Sequence, residues 1–284
     1  MSSKSEQRAL AERFRALHRP GTPFVLGNAW DVASACLFES CGLQAVGTTS
    51  AGLAAALGYV DAEAIPLDEL AAMVRRIVAA VGVPVSVDIE AGFGAAPAGV
   101  AATVRRMLEA GAVGVNLEDA VPGSSGKLYP VEEAVTRVHA ACEASDAFGL
   151  PAVVNARTDI LWRKGAADAT RVDECLRRLR AYVAAGASCV FAPGLQQPAD
   201  IEAVARAAGA PLNVLATKGM PPLPELARLG VARVSLGSGP MRAGLTAVRR
   251  IVEELQSNGT YATLTEGVVS YAELQALVTG QGRS

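Results

Sequence analysis

The sequence lacks several features that mark specialised classes of protein. Only 5% of its 284 residues are aromatic, and it contains two histidines. With a net charge of −2 and no long basic run, it has no electrostatic footprint for nucleic acid. No apolar run approaches the roughly 20 residues that span a bilayer, and residues 1–19 are too polar for a secretory signal. We therefore expect neither a nucleic-acid partner nor a membrane partner.

The cysteine pattern also excludes a common kind of metal site. The five cysteines are scattered along the chain, and no two of them form a C-x-x-C pair. Most lie in apolar helical or strand context, where a small buried thiol is the usual role. The pattern predicts a reduced, cytoplasmic location.

The order of apolar segments indicates the fold. Eight short apolar runs, the first at residues 24–27 and the last at 233–236, alternate with segments of helical spacing. Three of the helical segments end in a glycine just before a strand, at Gly111, Gly186 and Gly230. This alternation predicts a single (β/α)8 barrel domain over residues 1–284, with an extra N-terminal helix at 5–17 and a helical C-terminal extension at 245–284. A doubly wound open sheet is the alternative, but it would show a glycine-rich fingerprint after the first strand, and none is present.

The stretch at residues 85–94 carries the clearest chemical signal. Its apolar run ends in Asp88 and Glu90, which alternate and so face the same side of a strand. The glycines at 92 and 94 then allow a sharp turn. Two acids at a strand end suit a hard cation, although solvated acids at an ordinary strand end would give the same pattern.

In a barrel of this kind the active site lies at the carboxyl ends of the strands. Oxygen ligands without a nearby histidine or cysteine favour Mg²⁺ or Mn²⁺ over zinc. Arg157 offers a planar fork for a carboxylate or phosphate, and the backbone N–H groups of Ser50, Ala51 and Gly52 could grip a second anionic end. The expected substrate is a small, multiply anionic acid. The predicted strand ends carry Asn28 and Trp30, Ser50 and Gly52, Asp88 and Glu90, Glu118 and Asp119, and Arg157.

Five motifs in order resemble those of the isocitrate lyase/phosphoenolpyruvate mutase superfamily, over nearly the whole chain. The resemblance implies a Mg²⁺-dependent barrel that acts on 2-oxo or 2-hydroxy acids through a metal-stabilised enolate. It also implies a homodimer or homotetramer that exchanges a C-terminal helix between subunits. The motifs are Thr49-Ser50-Ala51-Gly52, Asp61 after Leu57-Gly58-Tyr59-Val60, Asp88-x-Glu90-x-Gly92-Phe93-Gly94, Leu117-Glu118-Asp119 and Ala156-Arg157-Thr158-Asp159.

The resemblance also implies roles for individual residues. Asp88 would be the closest metal ligand and would contact substrate, with Asp61, Glu90 and Glu118 holding the metal directly or through water. Ser50, Ala51 and Gly52 would bind the substrate carboxylate, and Arg157 the other anionic group. The candidates for catalysis are Asp61, Lys127 and Arg157, and the further candidates for substrate binding are Trp30 and Thr217.

The loop at residues 121–130 departs from the family pattern. Lyases of the family carry a loop cysteine and histidine there, and phosphonate-forming mutases carry a Pro-Lys-Thr-Asn-Ser type of run. This loop has neither, although Lys127 is a candidate replacement for the family's loop lysine, and Tyr129 for a gate or an acid. A glutamate that lyases place after the sixth strand is replaced by Ala192-Pro193-Gly194.

The leading hypothesis is therefore carbon–carbon cleavage or decarboxylation of an oxaloacetate-like 2-oxo diacid. Alternatives are phosphonopyruvate-type phosphorus chemistry, a Schiff-base aldolase and a barrel that binds a 2-oxo acid without turning it over. The aldolase needs a buried lysine at a strand end, and none of the chain's lysines is predicted there. We expect Trp162, His18 and His139 to have packing or surface roles.

Overall fold

The eight predicted strands close into a barrel. The computed structural model describes residues 3–162 and 169–280. Each strand pairs in parallel with the next, and the last pairs with the first, so the predicted (β/α)8 fold is confirmed. The strands are β1 Phe24–Ala29, β2 Val46–Thr48, β3 Val85–Asp88, β4 Gly114–Glu118, β5 Val153–Arg157, β6 Cys189–Phe191, β7 Leu212–Leu215 and β8 Arg233–Ser235.

The helices follow the predicted order, with three differences. The short helices at 50–57 and 262–265 were not predicted, and the helix after β8 begins at Gly239, before the expected start of the C-terminal extension. The alanine-rich run at 50–57 has no clear polar face, so periodicity gives no helix signal there. The helices are α1 Lys4–Leu17, α2 Val32–Ser40, α3 Ser50–Leu57, α4 Leu67–Ala80, α5 Pro97–Glu109, α6 Val131–Phe148, α7 Ala169–Ala184, α8 Pro198–Ala207, α9 Leu223–Arg228, α10 Gly239–Asn258, α11 Ala262–Thr265 and α12 Tyr271–Thr279.

Helix α1 closes the amino-terminal end of the barrel. A capping box between Ser3 and Glu6 starts it. Its Phe14 is fully buried against strand residues such as Phe24, and the two rings meet edge to face at 6.1 Å between centroids. Because this end is plugged, access to the interior is from the carboxyl end of the strands.

The barrel interior is unusually polar. Barrels of this fold are generally filled with branched apolar side chains, but here Asn155 and Asn213 are fully buried among the strands. The Asn155 Nδ2 donates to Asn116 Oδ1 at 2.9 Å, and the Asn213 Nδ2 donates to Ser235 Oγ at 3.0 Å. These amides cross-link neighbouring strands and leave a hydrophilic path into the barrel.

The C-terminal helices differ from the rest. No residue of α10 is buried, whereas Leu277 of α12 packs against the apolar cluster that includes Ala35 and Cys36 of α2. Within the described ranges, no helix has the length and apolar character needed to cross a membrane.

Candidate active site

A cavity of about 280 Å³ opens at the carboxyl ends of the strands. The loops that lead from each strand to the next helix supply its rim, and the polar interior of the barrel supplies its floor. Seven of the residues that were predicted to bind metal or substrate or to act in catalysis line it, namely Ser50, Ala51, Asp61, Asp88, Glu90, Glu118 and Arg157.

Asp88 lies at the centre of this group. Its Oδ1 accepts a hydrogen bond from Asn116 Nδ2 at 2.9 Å, and its Oδ2 accepts one from the backbone N–H of Ser50 at 3.2 Å. The Asp88 N–H donates in turn to Thr48 Oγ1 at 2.9 Å. These contacts come from β2, α3 and β4, so three elements fix the orientation of one carboxylate.

Ser50 also begins α3, whose first turn faces the cavity through Ser50 and Ala51. No side chain caps this helix at Thr49. The N–H groups of a helix start attract negative charge because they lack intrahelical acceptors. The predicted backbone grip for an anion is thus built as a helix N-terminus rather than as a loop.

Glu90 follows β3 in a left-handed backbone conformation, with φ of 47°. Phe93 and Glu63 also have positive φ, at 53° and 56°, which is costly for residues with side chains. Two short hydrogen bonds hold the arrangement, from Glu63 N–H to Glu90 Oε2 and from Phe93 N–H to Glu63 Oε1, each at 2.7 Å. The turn predicted from Gly92 and Gly94 therefore also depends on strain at three other residues.

The pKa of Glu90 is raised to about 8, chiefly by burial and in addition by the negative charges of Asp88 and Asp61, while the hydrogen bond from the Glu63 N–H opposes the shift. Burial also raises the pKa of Glu118 well above its usual value, although the Arg157 guanidinium opposes the shift. Four acids therefore gather at the rim around one guanidinium, that of Arg157, which is already paired with Glu118. A divalent cation would relieve this imbalance.

The donor set fits a hard cation chemically, because it offers only oxygen. Considering residues 3–162 and 169–280, however, no three Asp, Glu, His or Cys side chains converge closely enough to ligate one ion directly. Glu118 and Glu90 are held by other partners. Mg²⁺ commonly keeps several of its waters in protein sites. The geometry therefore favours one direct ligand, Asp88, with the other acids contacting the ion through water.

Arg157 is already engaged by acids on both sides. Its Nε and Nη2 donate to the two carboxylate oxygens of Asp159 at 2.6 and 2.8 Å, and its Nη1 lies 2.8 Å from Glu118 Oε2. The fork predicted to bind a substrate anion is therefore occupied by Asp159. A ligand meets only the remaining N–H groups of Arg157 unless it displaces an acid.

Asp119, which the sequence placed among the rim acids, points away from the cavity, so that expectation was wrong. Its carboxylate accepts hydrogen bonds from Thr158 Oγ1, the Asp159 N–H, Arg178 Nη1 and Tyr182 Oη, at 2.7 to 2.9 Å. Asp119 directly follows Glu118, the last residue of β4, and successive side chains of an extended chain face opposite sides, so the two acids cannot both face the cavity.

The loop at 121–130 covers one side of the cavity with Val121, Pro122, Gly123 and Ser124. Its end is anchored at Tyr129, whose N–H donates to the Asp119 carbonyl at 2.8 Å and whose hydroxyl accepts from Arg137 at 2.8 Å. Tyr129 thus serves as an anchor and not as part of the cavity wall. Lys127 is exposed and does not line the cavity.

Three other predicted residues also lie outside the cavity lining. Gly52 is buried behind it, next to Trp30, whose ring packs edge to face with Phe38 at 6.4 Å. Thr217 accepts a hydrogen bond from Gln196 at 2.7 Å and faces a separate groove on the outside of the barrel.

Conversely, the sequence reading missed several residues that line the cavity. Trp162, expected to pack, is 52% exposed at the rim. Ser86, Asn116, Arg233 and Ser235 form the floor. Polar residues inside otherwise apolar strand runs were the available signal, because such residues have no reason to be buried unless they face a polar interior.

Comparison with known proteins gives a consistent picture. Residues 14–256 match the family model of phosphoenolpyruvate phosphomutase. An oxaloacetate decarboxylase of Bradyrhizobium diazoefficiens is 33% identical over 267 residues, which cover 88% of this chain and 89% of the relative.

Two solved structures are also similar. A Burkholderia cenocepacia J2315 protein described only as a lyase/mutase has 40% identity and a TM-score of 0.87, with 96% of each chain covered. A phosphonopyruvate hydrolase in complex with oxalate and Mg²⁺ has 25% identity and a TM-score of 0.81, with 95% of each chain covered.

Proposed function

The chain belongs to the phosphoenolpyruvate phosphomutase family and is an enzyme of the isocitrate lyase/phosphoenolpyruvate mutase superfamily; on this premise we propose that it is a Mg²⁺-dependent lyase for a small 2-oxo diacid. The reaction that fits best is decarboxylation or carbon–carbon cleavage of an oxaloacetate-like substrate. Mn²⁺ is the alternative ion, since it accepts the same oxygen ligands.

The observation that carries the proposal is the lining of the cavity. It combines four carboxylates with Arg157 and a helix N-terminus, and none of its lining residues in the described part of the chain is a cysteine or a histidine. The side of the cavity formed by loop 121–130 offers one hydroxyl, Ser124, and no strong acid or base. Such a site can bind and polarise an anionic substrate, but it lacks the loop acid that a lyase uses to protonate a large leaving group.

Decarboxylation needs no such loop residue. The electron pair of the broken bond stays on the carbon next to the 2-oxo group, CO₂ leaves, and a proton from water completes the product. When bound, the divalent cation would supply Lewis acidity at the 2-oxo group. Asp88 would hold that ion, the first turn of α3 would orient the adjacent carboxylate, and loop 121–130 would limit the access of water. The oxaloacetate decarboxylase relative and the Mg²⁺–oxalate complex of another relative support this assignment.

Proton NMR of substrate turnover, with Mg²⁺ and with EDTA, tests the proposal. The panel should contain oxaloacetate, other 2-oxo diacids, methylisocitrate, isocitrate and phosphonopyruvate, with Asp88→Asn as the matched control for metal-catalysed background. We expect EDTA-sensitive loss of a 2-oxo diacid above that background. Turnover of phosphonopyruvate instead would favour phosphorus chemistry, and binding of oxo diacids without turnover would indicate a binding barrel.

We also propose that α10 packs on a second copy of the chain. Leu245, Val248, Val252 and Leu255 recur at helical spacing and are 46–57% exposed. A groove of about 500 Å³ on the outside of the barrel, lined by Val25, Met220 and Val234 among others, is also open. If two subunits exchanged α10, the helix of one subunit would pack in the groove of the other. This packing would cover both the apolar face of α10 and the apolar groove. Val252→Glu should convert the oligomer to a smaller species in sedimentation analysis, whereas an unchanged mass would contradict the exchange.

A further inference from the structure

Within the described part of the chain, a buried arginine at the floor of the cavity has no acidic partner. Arg233 of β8 points into the barrel, is 2% exposed and lines the cavity. Its Nε donates to Ser235 Oγ at 3.3 Å, while its Nη1 has no hydrogen-bond partner. Across the described residues, no carboxylate lies within ion-pair distance of Arg233.

Such an arrangement is energetically unfavourable without a ligand. A guanidinium removed from water loses its hydration, and a neutral serine returns only part of that energy. One face of the group is covered by the Phe14 ring, whose centroid lies 5.9 Å from Arg233 Cζ. Burial lowers the pKa of Arg233 to about 10, so the group stays charged at neutral pH. The floor of the cavity therefore holds an uncompensated positive charge.

The surroundings of Arg233 are suited to a small polar ligand. Ser86 of β3 lines the same floor, is 2% exposed, and its Oγ also lacks a partner. The cavity runs without interruption from Asp88 and Arg157 at the rim to Arg233 and Ser86 at the floor. Its volume of about 280 Å³ exceeds many times the roughly 30 Å³ that one water occupies.

We propose that Arg233, together with Ser86 and Ser235, forms an anion subsite at the floor of the cavity that takes a carboxylate. Because the cavity is continuous from rim to floor, the favoured source of that carboxylate is the substrate itself. This inference rests on the proposed function, because a 2-oxo diacid would place its 2-oxo acid end near Asp88 and its second carboxylate at the floor. Arg233 would then select diacids over monoacids that lack the second carboxylate.

A competing explanation gives Arg233 an electrostatic role only. Cys189 and the negative charge of Asp88 both oppose the lowering of the Arg233 pKa by burial, so the arginine could act simply as a distant counter-charge for the rim. In that case Arg233→Met would tighten Mg²⁺ binding and leave the preference between acids unchanged.

The test measures binding by tryptophan fluorescence, because Trp162 lies at the rim. The ligands are oxalate, L-lactate and L-malate, each with Mg²⁺, and NMR of the same samples confirms that they are not consumed. Lactate and malate differ by one carboxylate, whereas oxalate, whose two carboxylates are directly bonded to each other, would occupy only the metal end of the cavity. The variant is Arg233→Met, and Arg206→Met on the exposed face of α8 is the matched control.

We expect malate to bind wild type more tightly than lactate, and Arg233→Met to reduce that ratio by about 10- to 100-fold, as for loss of a charge-assisted hydrogen bond. Oxalate affinity should be unchanged, which also shows that the variant is folded. Arg206→Met should behave as wild type. The proposal would be overturned if Arg233→Met left the malate-to-lactate affinity ratio unchanged and also left unchanged the binding of formate, which is titrated without metal as described next.

A second set of measurements separates the possible sources of the carboxylate. Formate is titrated without metal into wild type and Arg233→Met. Formate binding that depends on Arg233, with an unchanged malate-to-lactate ratio, would support the subsite and assign it to a free anion. If wild type fails to bind oxalate with Mg²⁺, the proposed function fails, but the formate titration still tests the floor. Should Arg233→Met not fold, Arg233→Lys keeps the charge without the planar fork and should give a smaller loss of the same ratio.

Discussion

Two arginines line the same cavity in opposite surroundings. Arg157, at the end of β5, is within 2.8 Å of both Glu118 and Asp159. Arg233, on β8, donates a hydrogen bond to the neutral hydroxyl of Ser235 and, among the described residues, is paired with no acid. Both are largely buried, with 17% of the Arg157 side chain and 2% of Arg233 exposed.

The difference separates two uses of one residue type. Acids on both sides fix the Arg157 guanidinium and neutralise its charge, so its contribution to binding is orientation. Arg233 keeps its charge available, because no carboxylate of residues 3–162 and 169–280 lies within ion-pair distance of it. Asp88 lines the same cavity as both arginines, and its negative charge opposes the lowering of the Arg233 pKa by burial.

The largest expected difference between the two arginines is in the free energy of unfolding when each is replaced by methionine. Arg157→Met leaves the buried Glu118 and Asp159 without a cation, so the free energy of unfolding should fall by about 3–5 kcal/mol. Arg233→Met removes an unpaired buried charge and should change it by less than about 1 kcal/mol. Urea denaturation of the metal-free protein measures both values. Equal losses would mean that Arg233 has a partner in solution.

Removing the charge of Asp88, the acid that lines the cavity with both arginines, tests whether it holds the metal. Asp88→Asn keeps the shape and the hydrogen-bonding oxygen but removes the charge that would hold the metal. Activity should fall by roughly 10²- to 10³-fold, and calorimetry should show weaker Mg²⁺ binding. Glu69→Gln on α4, away from the cavity lining, is the control. Full activity in Asp88→Asn would exclude Asp88 as a metal ligand.

A third arginine, Arg178 of α7, extends the comparison outside the cavity. It is paired with Asp119 at 2.9 Å and shares that acid with Tyr182. Tyr182→Phe should reduce the free energy of unfolding by roughly 1.5–3 kcal/mol, because a buried carboxylate loses one donor.

The exposed Tyr261→Phe is the matched control for this substitution. Oxalate affinity, measured by fluorescence, should stay within about twofold of wild type. A large loss of affinity with little loss of stability would instead show that the Asp119 contacts shape the cavity directly.

The smallest expected effect is a pH dependence of stability. It comes from the buried acids of the cavity, above all Glu90. The pKa of Glu90 is about 8 when folded against 4.5 ordinarily, so the folded protein retains a proton that the unfolded chain has lost. This contribution is complete below pH 4.5 and is lost as the pH rises through 8. The buried His18, with a pKa lowered from 6.5 to about 3, has the opposite sign but contributes fully above pH 6.5.

Between pH 6.5 and 8, therefore, the metal-free protein should become less stable as the pH rises, with Glu118 acting in the same direction. Thermal unfolding in EDTA measures the slope, and Glu90→Gln should flatten it. A stability that rises with pH in this window would contradict the raised pKa of Glu90.

The fold and half of the site follow from local sequence. The alternation of strand and helix patterns, with glycines before β4, β6 and β8, was enough to predict the barrel. Asp88, Glu90, Glu118 and Arg157 stand at predicted strand ends, and a barrel gathers all strand ends at one rim. These predictions depend on order along the chain and on the two-residue period of a strand, which are both visible in a sequence.

The remaining features were decided by tertiary structure. Asp119 points to α7 and Lys127 to solvent, although each lies near predicted site residues, because side-chain direction depends on register and loop path. The partners of Arg157 and the isolation of Arg233 depend on which strands become neighbours across the barrel.

The sequence by itself determined the architecture and the oxygen-rich chemistry of the rim, since both depend on residue type and periodicity. Only the folded barrel decided which arginine is neutralised and which keeps its charge. The physical reason is that electrostatic energy depends on distance and burial between residues far apart in the chain, and these quantities exist only once the strands have closed.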